Sequence, residues 1–223
     1  MEVAARARDF VRVAGPDAVD YLQRMVSNDV EALAVGEACP ALLLTAKAKV
    51  IAPLVVWRRG AEDFLVLTEP GLGERVREEL LRLRFRATCE IEAEEHLSQL
   101  VLGGEDGFAS DWPGAREVLD AELPETLTRE ELELRRIEAG VPRWGHEIDE
   151  KILPAEAGLD ATHISFSKGC YPGQEPIARL HYRGHTNREL RVVELNAGVE
   201  VERVTSEARR PDGSRVALAY VRR

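Results

Sequence analysis

Cysteine is scarce in this chain. The three present, Cys39, Cys89 and Cys170, are odd in number and far apart in 223 residues. They form neither a disulfide framework nor a paired metal-ligand motif, and a reducing cytoplasm is the expected setting. Long apolar runs are also missing. None approaches the ~20 residues of a membrane-spanning helix, so no membrane partner is expected. Residues 1–6 lack the apolar core of a secretory signal. Net positive charge is lacking too. The balance is −10, which disfavours nonspecific nucleic-acid binding, and no direct nucleic-acid partner is expected. Internal repeats and low-complexity tracts are absent.

What is present is an ordinary globular composition, with 44% hydrophobic and 31% charged residues. A chain of this length forms one large domain, or one domain with a small appendage, and buries roughly 70–75% of its unfolded surface without a metal or disulfide. The charge is uneven. Residues 61–160 carry 26 acidic and 11 basic side chains, whereas residues 161–223 carry 7 acidic and 11 basic. The basic C-terminal stretch is suited to a small anion.

Hydrophobic patterning predicts strands over 10–13, 50–57, 64–67, 88–91 and 97–102, with Pro53 an irregularity in the second. Val19, Leu22 and Val26 give a helical stripe after Pro16. Residues 45–48 form a turn behind the apolar run 41–44. A second helix follows Gly71 and carries Val76, Leu80 and Leu83. The pair Gly71-x-Gly73 lacks the third glycine of a phosphate loop and is taken as a loop before that helix. Residues 103–114 are expected to be a loop with Trp112 as a packing residue. Thr128 and Glu131 fit a capping box, and Gly140 falls where a helix-ending glycine belongs. The stretch 141–190, rich in Gly, Pro, His and paired charges, is expected to be functional loops. Strands are expected over 191–195, 199–204 and 216–221, with a turn at 211–214.

One segment carries chemistry: Lys168-Gly169-Cys170-Tyr171-Pro172-Gly173-Gln174-Glu175. A thiol acts as nucleophile or metal ligand as thiolate, a form that positive charge or a helix N-terminus favours. Two glycines and a proline suit a tight turn that lets backbone approach a ligand. A lone cysteine is commonly a small buried hydrophobe, but charged neighbours on both sides of Cys170 argue for exposure. Arg179 follows at helical spacing from Glu175, as an ion-pair partner or as a carboxylate-binding group beside Lys168 and Arg183. His181 and His185 have metal-ligand spacing, but Gly184 between them opposes a continuous helix, and no metal is expected. A cysteine–histidine dyad with His163 or His181 is the hydrolase alternative.

These residues also carry a resemblance. The run 136–142 (RIEAGVP), the run 154–160 (PAEAGLD), the KGCYPGQE segment, Arg179 and Arg183-Gly184 follow in order. The hairpin run 42–47, Val204-Thr205-Ser206 and the run 217–221 extend the match. Together they resemble the YgfZ-type branch of the folate-binding aminomethyltransferase superfamily, over nearly the whole chain. The resemblance implies an α+β fold, with a folate-binding domain over 1–186 followed by a short β subdomain over 187–223. That subdomain is too short for a full barrel, so a reduced barrel or open sheet is expected. The resemblance further implies tetrahydrofolate or a one-carbon derivative as cofactor. Iron–sulfur client enzymes, tRNA-modifying ones included, or assembly proteins are the implied partners, with Cys170 the functional thiol. Glu156 is carried over as the carboxylate that holds the pterin edge, a role suited to two parallel N–H donors. Lys168, Tyr171, Gln174, Glu175 and Arg179 complete the expected site. The glycine-cleavage enzymes of the superfamily place an acidic pair where this chain has Ala52-Pro53, and neither residue can move a proton. Folate-dependent aminomethyl transfer is therefore the alternative, and an accessory role in iron–sulfur enzyme maturation the expectation.

Overall fold

The apolar runs at 10–13, 41–44, 50–57 and 64–67 lie in one sheet buried on both faces, which is why they read as near-continuous rather than alternating. A computed structural model describes residues 1–195 and 201–223. Its antiparallel five-stranded sheet contains β2 (Asp9–Ala14), β3 (Ala38–Leu44), β4 (Val50–Gly60), β5 (Asp63–Thr68) and β6 (Glu90–Glu94) in the order β3-β4-β5-β2-β6. On one face Val11, Val13, Leu54, Val56, Phe64 and Val66 pack with α1 (Ala18–Met25) and α2 (Gly73–Leu83) through Tyr21, Leu22, Val76 and Leu80. On the other face Phe10, Val55, Leu65 and Leu67 meet Phe108, and Trp57 stacks on Phe108 with ring centroids 4.5 Å apart.

Pro53 sits inside β4, a central strand, where a missing N–H would break the ladder. The β4–β5 pairing begins only at Leu54, and Thr68 Oγ1 donates to the Pro53 carbonyl at 2.8 Å. Before α2, Asp9 Oδ2 accepts from both Gly71 N and Gly73 N at 2.8 Å. The glycine pair therefore serves a carboxylate of the fold.

Phe108 belongs to a second sheet. Its members are β1 (Glu2–Ala5), β7 (Ser98–Leu102), β8 (Phe108–Ala109) and β9 (Ala115–Leu119), in the order β1-β7-β9-β8. The expected loop at 103–114 thus contains a short strand, and β1 and β9 were not expected at all. Trp112 packs as foreseen, buried with Leu100, Ala115 and Val141. The sheet covers a charged node: Arg8, fully buried, donates to Glu117 at 2.6 Å and to Asp111 at 2.8 Å. Burial works against all three charges, but the facing opposite charges win, so Arg8 is raised and both carboxyls are held low.

The capping box forms α3 (Arg129–Glu138): Glu131 N donates to Thr128 Oγ1 and Thr128 N to Glu131 Oε2, while Gly140 takes φ 71° beyond its end. Strands β10 (Arg188–Glu194), β11 (Arg203–Arg209) and β12 (Arg215–Arg222) form an antiparallel sheet in the order β10-β12-β11. No closed barrel forms among the described residues. Of the strand expected at 199–204, residues 199 and 200 lie outside the described residues. The sheet packs on α3 through Ile137, Val216 and Leu218. No described helix is long and apolar enough to cross a membrane.

A buried polar knot joins these parts. Arg136 Nη1 donates to Glu147 Oε2 (2.9 Å) and to the Val141 carbonyl (2.6 Å), and its Nη2 donates to Ser206 Oγ (2.7 Å). Ser206 Oγ in turn donates to Glu147 Oε1 at 2.6 Å, and Tyr220 OH to the Glu147 carbonyl at 2.8 Å. Replacing Arg136 by Leu strands a carboxylate that is 1% exposed. The expected cost in urea unfolding is roughly 3–5 kcal/mol. Adding Glu147→Leu should recover part of that loss; a double variant as unstable as the sum of both singles would show that the pair is not coupled.

Candidate functional site

A second apolar core lies under the 141–190 stretch. It joins Leu42, Leu44, Ala48 and Val50 of the β3–β4 hairpin to Ile152, Leu159, Ile164, Tyr171, Ile177 and Tyr220. Burial of these side chains gives a stretch that looks like loops a core of its own to pack on. The stretch also contains α5 (Gln174–Arg183), the helix that the Glu175–Arg179 spacing required for an ion pair, together with an unexpected short helix α4 (Asp160–His163) and a 3-10 turn at Pro154–Glu156.

Residues 162–168 are sewn onto the end of α1. Ser27 Oγ donates to the His163 carbonyl (2.6 Å), Ser165 N to the Ser27 carbonyl (3.0 Å) and Asn28 Nδ2 to the Thr162 carbonyl (3.2 Å). Lys168 completes the seam: its ammonium donates to the Val26 and Asn28 carbonyls, each at 2.7 Å. Lys168 is 8% exposed, and burial pushes it down to about 8. Two of its three donors are committed to backbone and it does not line the cavity along α5, which places it in the scaffold rather than at a pocket mouth. Ser27 and Asn28 went unremarked in the sequence; the only signal was a polar pair directly after an amphipathic helix.

Two residues beyond the lysine, Cys170 is exposed. Tyr171 follows and is buried, its ring 5.5 Å from the Lys168 ammonium. Gly173 has φ 83°, and a Cβ there would lie 2.6 Å from the Thr45 carbonyl oxygen and 3.1 Å from Ala48 Cα. The loop is thus pinned by Lys168 on one side and by Tyr171 and Gly173 on the other, and the thiol is displayed between the pins. Ala48 itself stands at φ 59° in the hairpin turn, a left-handed position where glycine is the usual residue.

Gly173 caps α5, and Gln174 opens it half-buried. Glu175 and Arg179 lie one turn apart, as the helical spacing suggested, but do not form an ion pair among the described residues. Both line a cavity of about 410 Å³ between α5 and the Pro154 turn, together with Phe166, Ile177, His181 and Arg183. Phe166 and His181 stack with centroids 3.9 Å apart. The cavity presents apolar walls with two guanidinium groups, Arg179 and Arg183, and two carboxylates, Asp160 and Glu175, an arrangement suited to a flat ring system bearing both hydrogen-bond donors and a carboxylate.

Glu156 is not part of that lining. Its Oε2 accepts from Leu153 N at 2.9 Å and its Oε1 from Arg188 Nε at 3.1 Å. It faces a separate depression with Arg188, Glu202 and Arg222. Arg188 in turn lies over the Tyr220 ring at 5.0 Å. The structure therefore brings Glu175 and Arg179 together, sets Cys170 outward, buries Lys168 and Tyr171, and holds Glu156 against Arg188.

The dyad alternative finds no support in the geometry. His163 is buried and its Nδ1 lies 2.8 Å from Thr162 Oγ1, while His181 stacks on Phe166, so neither ring is hydrogen-bonded to Cys170. Helix α5 ends before Gly184, which separates His181 from His185 as expected. Among the described residues no group of three His, Cys, Asp or Glu side chains is placed to hold a metal.

The family model described as the GCVT N-terminal domain matches residues 8–132, more than half of this chain. A tRNA-modifying protein YgfZ from Serratia proteamaculans is 29% identical, with 85% of this chain and 69% of that protein covered. A mitochondrial iron-sulfur cluster assembly factor IBA57 homolog from Pyricularia oryzae is 27% identical, with 84% of this chain and 55% of that protein covered. Among solved structures, glycine cleavage system aminomethyltransferase T from Bartonella henselae shares the fold with a TM-score of 0.77. It is 20% identical and is matched over 99% of this chain and 78% of that one.

His163 supplies a test of the seam. Burial pushes its imidazole down to about 4 from an ordinary 6.5, with Asp111 opposing that shift and Arg8 adding to it. The folded value lies below the unfolded one, so the contribution is full above about pH 6.5 and is lost as pH falls toward 4. The loss should approach ~3 kcal/mol over that window. Chemical denaturation across it should show a shallower slope for His163→Gln; identical slopes in the two proteins would place the titration elsewhere.

Proposed function

The chain belongs to the family of the GCVT N-terminal domain, and we propose that it is a folate-binding accessory factor for the assembly or repair of iron–sulfur enzymes, tRNA-modifying ones included. The observation that carries this reading is the exposed thiol of Cys170, held outward by buried anchors on both sides. The names of the relatives support it, since one is a tRNA-modifying protein and another an iron-sulfur cluster assembly factor. An iron–sulfur cluster is cargo in this reading. A cluster takes about four ligands, so Cys170 supplies one and the client or assembly partner supplies the others.

Tetrahydrofolate or a one-carbon derivative is the proposed cofactor, bound by the domain over 1–186, with residues 187–223 as a small β subdomain. Its carboxylate tail suits Arg179 and Arg183, which line the apolar cavity along α5. Gln174, Glu175 and Tyr171 frame the start of that helix. The pterin edge suits Glu156 only when Arg188 releases the carboxylate oxygen it now holds. Bound folate would supply a one-carbon carrier. Arg179 and Arg183 would orient its tail against the apolar wall of α5.

The rival reading is folate-dependent aminomethyl transfer, since two relatives carry the name aminomethyltransferase. Ala52 is fully buried and Pro53 has no titratable group, so β4 offers no carboxylate where that chemistry would use one. An assay of folate-dependent ammonia release should therefore give no turnover, and measurable turnover would favour the rival.

Tetrahydrofolate titrated against tryptophan fluorescence should saturate. Arg179→Ala should weaken binding roughly tenfold, the loss of one charge-assisted pair; unchanged affinity would remove Arg179 from the tail site. Cys170→Ser should fold and bind folate like the parent protein, yet fail to restore iron–sulfur enzyme activity in cells lacking this protein. Full restoration by that variant would defeat the thiol role.

A further inference from the structure

One exposed aromatic side chain stands on left-handed backbone, where the fold needs the turn but not the ring. Helix α2 closes at Leu83 with Arg84 as its cap, and the next residue, Phe85, has φ 45°. That is the left-handed position after a helix, where glycine fits freely and an L side chain is strained. The Phe85 ring is 86% exposed, so burial does not offset the strain. Beside it lies a groove of about 600 Å³ between the two helices of the first core. Tyr21, Met25 and Leu83 contribute its apolar part. Asp17 and Asp20 come from the start of α1, Arg24, paired with Asp20 at 2.6 Å, from its last turn, and Arg84 and Arg86 flank the ring.

We propose that this patch is the interface of a twofold homodimer, in which Phe85 of each copy enters the groove of the other. A twofold contact uses the same patch on both subunits, so the patch must be complementary to itself: residue i meets j while j meets i. This patch has that property. It holds a projecting ring next to a groove, and carboxylates next to guanidinium groups. Across the axis, Asp20 of one copy faces Arg86 of the other, exchanging its exposed pair with Arg24 for a contact between copies, while Asp17 stays on Thr88 N and Arg84 on the Cys89 carbonyl of its own chain. An unrelated partner would require only one half of each pairing. Insertion buries the most exposed aromatic of the described residues, and buried aromatic anchors dominate interface energetics. None of these residues lines the cavity along α5, so the dimer contact and the ligand site do not overlap.

Sedimentation velocity over roughly 1–200 µM separates the outcomes. The parent protein should show a monomer–dimer equilibrium. Phe85→Gly should fold with an unchanged or raised melting temperature, because glycine suits the position, and should raise the dissociation constant by about tenfold or more. Arg86→Asp and Asp20→Arg should each weaken self-association, and mixing the two variants should restore association above either alone. A parent protein that stays monomeric throughout the range would overturn the proposal, leaving the ring to an acidic segment of another protein or to a nucleic acid. A dimer undiminished in Phe85→Gly would overturn it as well, because the contact would then lie elsewhere.

Discussion

The buried charge pair of Arg136 and Glu147 carries the second half of this molecule. Two charges taken out of water cost several kcal/mol each, and only dense hydrogen bonding offsets that cost. Here the carboxylate accepts from Arg136, Ser206 and the Arg143 amide, and the guanidinium also reaches the Val141 carbonyl and Glu133. Burial opposes the Arg136 charge, but Glu133 and Glu147 raise it overall. The donors come from α3, from the segment after it and from β11, so the pair forms only when all three are in place. The Tyr220 hydroxyl rests on the Glu147 backbone, which fixes the C-terminal sheet against the second core. Tyr171 and Ile177 pack in that same core. The stage on which Cys170 stands is therefore tied to a salt bridge inside the C-terminal part of the fold.

The first half is organised by the same principle with different residues. Arg8 is buried against Asp111 and Glu117, and His163 sits close enough to feel the charges of that node. Arginine suits both knots because its planar fork satisfies several acceptors and remains charged when buried. Lysine is used differently. Lys168 is a point charge between two backbone carbonyls, so it acts as a rivet rather than as half of an ion pair. The acidic balance of the chain thus says little about its interior, where arginines and carboxylates are matched.

Local signals in the sequence were reliable where the cause was local. The capping box of Thr128 and Glu131, the glycine after α3 and the break at Gly184 depend on neighbours within a few residues, and all stand as expected. Exposure of Cys170 followed from its charged flanks. Strands β1, β8 and β9 escaped notice because they are short and exist through pairing with distant partners. The destination of Lys168 was illegible for the same reason, since its acceptors lie 142 and 140 residues away. Helix α5 was readable only as a condition on the Glu175–Arg179 spacing, because Gly173 and Pro176 look like loop residues until the glycine is known to cap the helix. The grip of Arg188 on Glu156 crosses 32 residues and leaves no trace in composition or spacing.

Gly173 and Ala48 touch through their backbones although they sit 125 positions apart. Each is in a left-handed conformation that a branched side chain would strain, and a side chain on Gly173 would also collide with the hairpin turn. In evolutionary terms the two positions form one character. A branched residue at either would have to be answered by a change of hairpin length or loop path at the other. The hairpin tip and the cysteine loop are thus expected to vary together among descendants of this fold, so that a change in the loop displaying the thiol leaves its record in a turn that never touches the sulfur.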